Sequence, residues 1–391
     1  MTWGTCRTLF AVSQGGGVRS MSQPRPCSPS HPQELVYRRQ EHIQHVTLNR
    51  PHALNALSLE MVRELSPKLK VWARDRDTAV VTLRGSGEKA FCAGGDLKNI
   101  TFSAQEGGSY GKEFFFEEFT LNYMIGVYPK PFISILNGLT FGGAAGLSVI
   151  GRFCIATEKT VFSMPECAIG LFPDVGSGYY LSRLSDNFGI FLALTGHRVK
   201  GRDLVRVGLA SHYMDSAQIP ELELALANLQ WPVTMEDMDL LLESFQATSS
   251  SNFPESFSLE AHRKQISHCF SGKSVEEIVT RLHEDGSGWA ISQLDTLGKM
   301  SPTALKVTLR LLQLGGDMDL AQALQTEYRL TQRCVADRDF HEGIRAAILD
   351  KDHNPHWCPS TLEDVTEQRL DQYFSPLENQ EELILDDSVF D

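Results

Sequence analysis

The stretch from residue 132 to residue 150 constrains this chain more than any other. It opens on the β-prone run Phe132-Ile133-Ser134-Ile135-Leu136 and closes on Gly142-Gly143-Ala144-Ala145-Gly146-Leu147. It is also the chain's nearest approach to a membrane span, yet Asn137, Thr140 and its four glycines make it a poor lipid-facing helix. No membrane partner is expected. The better reading is buried backbone beside a site, because glycine lets main chain and ligand approach closely. A second pair, Gly94-Gly95, ends the run Phe91-Cys92-Ala93, so the chain carries two such turns.

The surroundings alternate between strand and helix. Residues 43–48 form a β-prone run followed by Asn-Arg-Pro, and 58–74 have the apolar spacing of an amphipathic helix. Residues 79–83 read as a buried strand leading into Gly85-Ser86-Gly87, and 114–127 as a helix. Short strands are expected again at 132–136, 154–156 and 161–163. This order predicts an α/β fold with a mostly parallel sheet, crossover helices, and a site carried by loops at one edge of the strands. After about residue 176 the strand signal fades, and 275–283, 302–314 and 320–335 have helical periodicity. The 391 residues are enough for a main domain and a smaller packed extension. We assign 34–230 to the catalytic core, 231–377 to a mainly helical region packed on it, and 378–391 to an acidic tail read as a solvated terminus. The Ser- and Asn-rich stretch 246–257 is a candidate linker or surface loop.

Composition narrows the partners. With 42% hydrophobic and 22% charged residues, the chain has the balance of a soluble globular protein. A formal net charge of −13 argues against a nucleic-acid partner, and any polyphosphate ligand must be held by local basic groups. Cys6, Cys27, Cys92, Cys154, Cys167, Cys269, Cys334 and Cys358 are scattered without a CxxC or metal-ligand spacing, so reduced thiols and no metal are expected. Residues 1–33 contain Arg7, Arg19 and Arg25 and no acidic residue, which fits a mitochondrial transit peptide and a matrix location.

Three segments carry a family resemblance when taken in order. They are Leu48-Asn49-Arg50-Pro51 with Asn55-Ala56-Leu57, Lys89-Ala90-Phe91-Cys92-Ala93-Gly94-Gly95-Asp96-Leu97, and Asn137-Gly138 through Gly142-Gly143-Ala144-Ala145-Gly146-Leu147. Together they resemble the crotonase, or enoyl-CoA hydratase/isomerase, superfamily over about residues 35–230. The resemblance implies a core of repeated β-β-α units and an acyl-CoA substrate, with coenzyme A as part of that substrate and no separate cofactor. It places one backbone N–H donor on Gly95 and another on Gly143, near the start of a helix whose dipole would help hold a thioester oxygen as it gains charge. The loop at Arg50 and the backbone around Lys89, Phe91 and Ala93 would cradle the coenzyme, while Asp96 would support its loop.

The same resemblance bears on the reaction. Ser163-Met164-Pro165-Glu166 matches the segment that brings a catalytic glutamate to the acyl group, but Gly146 stands where hydratases of the family carry a second glutamate. Asp174, in Gly170-Leu171-Phe172-Pro173-Asp174-Val175-Gly176, supplies a carboxylate at a different place. This exchange resembles the 3-hydroxyisobutyryl-CoA hydrolase branch of the superfamily, as do Glu117-Glu118 and the late Asp350-Lys351-Asp352, Pro355 and Trp357. The resemblance implies thioester hydrolysis in valine catabolism, with Glu166 and Asp174 catalytic and Glu118, Gly143, Glu166 and Asp174 contacting substrate. Two rival readings are a hydratase or isomerase on the same scaffold and a silent acyl-CoA-binding subunit. Oligomeric state is open.

Overall fold

The apolar runs of the first half are short and nearly uninterrupted, which suits strands covered on both faces. In the computed structural model, which describes residues 33–105, 107–230, 232–249, 256–378 and 381–391, they form two sheets. The transit-peptide reading of residues 1–33 falls, all but its last residue, outside the described residues, as does the middle of the candidate linker. The larger sheet holds β1 (Leu35–Gln40), β2 (Ile43–Leu48), β3 (Val80–Gly85), β5 (Phe132–Leu136), β7 (Phe153–Ala156) and β10 (His212–Tyr213), in that order. Every pairing in it is parallel except β1 with β2. The smaller sheet holds β4 (Ala90–Cys92), β6 (Leu139–Phe141), β8 (Val161–Ser163) and β9 (Val199–Lys200). Successive pairs β3/β4, β5/β6 and β7/β8 thus place one strand in each sheet, which is the repeated unit expected of the core.

Helix α1 (Leu59–Arg74) starts where Ser58 caps it, its hydroxyl accepting from the Met61 N–H at 3.2 Å. Helices α2 (Leu97–Gln105) and α3 (Tyr110–Gly126) follow β4. One face of the large sheet, with Val46, Val81 and Leu83, is buried among Val62 and Leu65 of α1 and Phe115 and Phe119 of α3. The other face, with Ile43, Val80, Ile133 and Ile155, is covered by α7 (Ile219–Ala227) and α8 (Met235–Thr248) through Leu222, Leu226, Met238 and Leu242. The helical layer on this face therefore continues past residue 230. Along the chain, the short α4 (Ser177–Tyr180), α5 (Phe188–Thr195) and α6 (Asp203–Val207) come between β8 and α7.

The remaining helices are α9 (Arg263–Cys269), α10 (Val275–Asp285), α11 (Gly288–Leu297), α12 (Pro302–Gly315), α13 (Leu320–Ala336), α14 (Arg338–Ile344) and α15 (Glu367–Phe374). Two of them brace the loops of the core. Helix α14 lies so close to the turn Glu166–Ile169 that a Cβ on Gly170 would stand 2.3 Å from the Asp339 carbonyl, and one on Gly343 would stand 2.3 Å from the Ile169 carbonyl carbon. Gly170 also holds φ at 72°, a left-handed conformation that costs other residues about 1–2 kcal/mol. Gly170→Ala is accordingly expected to lower unfolding free energy by about 2–5 kcal/mol, the sum of about 1–2 kcal/mol of backbone strain and about 1–3 kcal/mol of overpacking. Urea unfolding monitored by tryptophan fluorescence measures it, and an unchanged midpoint would contradict the packing described.

The acidic tail is not a solvated terminus. Leu383, Leu385 and Val389 are buried, Phe390 packs edge-on against Tyr128, and Glu382 pairs with Arg329 at 2.9 Å. Apolar residues interleaved with the acids give the segment a face to dock, so its charge count misled the reading. Among the described residues the cysteines are unpaired thiols.

Candidate active site

The first glycine turn is set by a strand-like bridge. Leu57 donates to the Gly94 carbonyl at 2.8 Å, and Asp96 donates to the Leu57 carbonyl at 2.9 Å, so Gly95 sits between them as an isolated parallel bridge. Its own N–H is left pointing to the other side of the bridge. There it meets the second turn, since a Cβ on Gly143 would lie 3.2 Å from the Gly95 nitrogen. Among the described residues neither the Gly95 nor the Gly143 N–H has a hydrogen-bond acceptor. Two unspent donors side by side, on rigid backbone, are suited to an oxygen that acquires charge.

The expected helix at Gly143 is a correction. Gly142–Ala144 form a 3-10 turn, and mostly i to i+3 bonds, with one i to i+4 bond from Val149 to Ala145, carry the turns on to Gly151, where a helix was expected. Small residues fold tightly here to fit beneath α3. The dipole contribution is that of one or two turns rather than of a full helix, while the unsatisfied first N–H groups, which are what act locally, remain.

Two carboxylates flank the second turn. A Cβ on Gly142 would be 2.6 Å from Glu166 Oε1, and one on Gly143 would be 2.7 Å from Glu118 Oε1. Glu166 is presented by the 3-10 turn after Pro165, and Glu118 by α3. Both are buried, and Glu118 Oε1 and Glu166 Oε2 have no hydrogen-bond partner among the described residues. Asp174 is buried too and belongs to the same electrostatic group. Burial raises the Glu118 carboxyl well above its ordinary range, with the charges of Asp174 and then Glu166 adding to the effect. Burial and then Asp174 do the same to Glu166. Asp174 is pushed up to about 7, chiefly by burial. Buried carboxyls that raise one another in this way titrate as a coupled group rather than one by one.

Glu117 and Glu118 part company on the helix. Glu117 faces outward and binds Arg63 at 2.7 Å, while Glu118 points into the site. One turn beyond Glu118, Asn122 is fully buried with neither amide atom hydrogen-bonded among the described residues. Its carboxamide covers Gly146, where a Cβ would come within 2.5 Å of Asn122 Oδ1. The position at which a hydratase would carry its second glutamate is thus filled by a side chain from α3. Asn122 escaped the sequence reading, although the i, i+4 spacing from Glu118 was the available signal.

The residues expected to cradle the coenzyme divide. Arg50 is spent within the protein, on Asp96 at 2.9 Å, the Ala56 carbonyl at 2.7 Å and Glu34 at 3.0 Å. Its role is to tie the first motif to the Gly95 turn, with Asp96 as the anchor. Phe91 is a core side chain, and Ala93 donates its N–H to Leu54 at 3.1 Å. Lys89 is exposed and lines a cleft with Pro51, His52, Ser86 and Gly87. Asn55 anchors that cleft, donating to the Ser86 and Ala90 carbonyls, each at 2.9 Å. The late motif is surface structure: Asp350 and Asp352 each bind Arg345 at 2.7 Å, and the Trp357 indole donates to Lys299.

Two interlocked sheets of this topology, with paired free amides and buried carboxylates around them, define a crotonase-type scaffold. The enoyl-CoA hydratase/isomerase family model matches residues 43–374, and this chain belongs to that family. It is 49% identical over 336 residues to the mitochondrial 3-hydroxyisobutyryl-CoA hydrolase of Danio rerio, covering 86% of this chain and 88% of that one. It is 47% identical over 332 residues to the protein of the same name from Homo sapiens, covering 85% and 86%. Among solved structures, an enoyl-CoA hydratase from Rhodobacter sphaeroides superposes with a TM-score of 0.81 at 35% identity, over 90% of this chain and all of that one.

Proposed function

We propose that this chain hydrolyses 3-hydroxyisobutyryl-CoA to the free hydroxy acid and coenzyme A, in valine catabolism in the mitochondrial matrix. The observation that carries the reading is the arrangement around the second glycine turn. Glu118 and Glu166 flank it, Asp174 belongs to the same group, and Asn122 fills the hydratase position over Gly146. Two relatives of the same mitochondrial name support the substrate.

In this reading the thioester oxygen sits between the N–H groups of Gly95 and Gly143, which hold the negative charge of the tetrahedral state. Glu166 either attacks the carbonyl carbon, giving a mixed anhydride that water opens, or draws a proton from the attacking water. Asp174 orients the water or the acyl hydroxyl and relays the proton, and Glu118 binds the 3-hydroxyl. The thiolate leaves with little acid assistance because thiols are far stronger acids than alcohols. Lys89 and the cleft beside it meet the coenzyme from outside. A thiol-release assay against a panel of short-chain CoA esters tests the substrate. A clear preference for the 3-hydroxyisobutyryl ester is expected, and no thiol release from any ester would end the hydrolase reading.

The solved relative named as a hydratase keeps a second reading in view. Crotonyl-CoA hydration faster than thiol release would favour it; the filled position over Gly146 argues the other way.

Asp174→Asn is expected to cut thiol release by at least about a hundredfold, the scale of a lost proton relay. It also changes the pH profile in a defined direction. Asp174 raises the pKa of Glu166 and Glu118, so removing its charge favours their ionised forms. The acid limb of the residual kcat/KM profile should move to lower pH. A limb that stays in place would show that Asp174 does not share the pocket's titration.

A further inference from the structure

We propose that Glu327, on helix α13 of the helical extension, is a positioning residue for Asp174: its carboxylate clasps the turn that follows Asp174 and fixes the direction of that side chain. The proposal rests on the hydrolase reading and extends it to a residue far along the chain from the core motifs. Glu327 is fully buried, and its two oxygens accept from the Gly176 N–H at 2.6 Å and the Gly178 N–H at 2.7 Å. Both oxygens are thereby engaged by backbone, so Glu327 acts through the turn rather than on substrate.

The turn itself needs a clasp. Val175 holds φ at 52° and Gly176 at 88°, two successive left-handed residues of which the first is β-branched, a conformation such residues seldom take without support. Held this way, the chain reverses straight after Asp174 and begins α4, with the Ser177 N–H returning to the Asp174 carbonyl at 3.1 Å and the Ser177 hydroxyl bonded to the Pro173 carbonyl. The neighbouring residue on α13 fixes the other side of the site. Tyr328 makes edge contacts with Phe116 and Phe119 of α3, the helix that carries Glu118. Adjacent residues of one helix therefore register the two carboxylate-bearing elements against each other. Glu327 also lies on the apolar stripe of α13 with Leu324, Leu330 and Cys334, where a charged residue has no reason to be unless it has specific partners.

The test is a mutant cycle of Glu327→Gln, Asp174→Asn and the double variant, read by thiol release from 3-hydroxyisobutyryl-CoA. The glutamine keeps one acceptor and turns an amide donor toward the second N–H. Glu327→Gln alone should lower kcat about 10- to 100-fold with KM within about twofold, the signature of a reacting group displaced by a fraction of an ångström to an ångström. In the Asp174→Asn background the same change should cost less than about twofold, because the side chain it serves is already gone. A near-normal kcat in Glu327→Gln, or a penalty that multiplies in full onto that of Asp174→Asn, would overturn the proposal. Should Glu327→Gln fail to fold by circular dichroism, Glu327→Asp keeps the carboxyl group, shortens the reach and enters the same cycle with the same criteria. If the wild-type protein releases no thiol from any ester, the hydrolase reading fails by itself. The cycle is then run on crotonyl-CoA hydration, where the same non-additivity decides on the clasp.

Discussion

Glu166→Gln is expected to reduce thiol release from 3-hydroxyisobutyryl-CoA by at least about a hundredfold, and to do so without loss of thermal stability. Glutamine nearly matches glutamate in size but can neither attack a carbonyl nor accept a proton from water, so both chemical routes are closed together. The stability half follows from the sign of the pKa shift. Burial and the charge of Asp174 raise the Glu166 carboxyl in the folded state, so its contribution to stability is present at low pH and is lost as pH rises through the folded value. A neutral amide removes that loss, and the variant should melt at the same temperature as the wild type or higher when both are scanned at neutral pH. Near-normal turnover in the folded variant would remove Glu166 from the chemistry, and a sharp drop in melting temperature would recast it as a structural residue. A single turnover in oxygen-18 water separates the two routes: label in the Glu166 carboxylate marks an anhydride opened at the enzyme's carbonyl, and its absence argues against that opening.

Much of the core was legible because its elements obey local rules. The strands at Ile43–Leu48 and Phe132–Leu136 fall where the apolar runs put them, and α12 begins at Pro302 behind a Ser301 cap, as helix-start chemistry requires. The site was legible where the family motifs are contiguous, at Gly94-Gly95, Gly142-Gly143 and Glu166. What sequence did not disclose are side chains that reach the site from another element. Asn122 and Glu327 each belong to a helix whose periodicity was recognised, but their partners lie across the fold, at Gly146 and at the turn after Asp174. A polar residue on an otherwise buried stripe is the trace that such a contact leaves in sequence. Arg50 shows a contact of the same kind: the resemblance places its loop at the coenzyme, and across the fold its guanidinium also holds Asp96, Glu34 and the Ala56 carbonyl.

The helical extension also gains a reason to exist. Helix α14 sets the backbone under Glu166 through the contact at Gly170, and α13 holds the turn after Asp174. A carboxyl group raised in pKa by burial is costly to keep in place, and a loop alone would let it relax toward water. Helices packed against both turns keep these groups buried.

Gly143→Ala carries the other large expected effect, and it tests the opening feature of the sequence directly. The methyl group would stand 3.2 Å from the Gly95 nitrogen and 2.7 Å from Glu118 Oε1, in the space shared by the two amides and the nearer carboxylate. A thioester oxygen needs that volume to receive both hydrogen bonds, so kcat/KM should fall about 10²- to 10³-fold, equivalent to about 2.7–4 kcal/mol of transition-state stabilisation. The same methyl also pushes on Glu118, which offers a competing explanation for any loss. Repeating the substitution on a Glu118→Ala background separates them. If the methyl acts by displacing Glu118, it costs nothing further once that carboxylate is gone; if it acts by filling the oxyanion site, the full penalty persists. The second outcome is expected, since the methyl group itself would stand 3.2 Å from the Gly95 nitrogen, in the space an oxygen held by both amides would take.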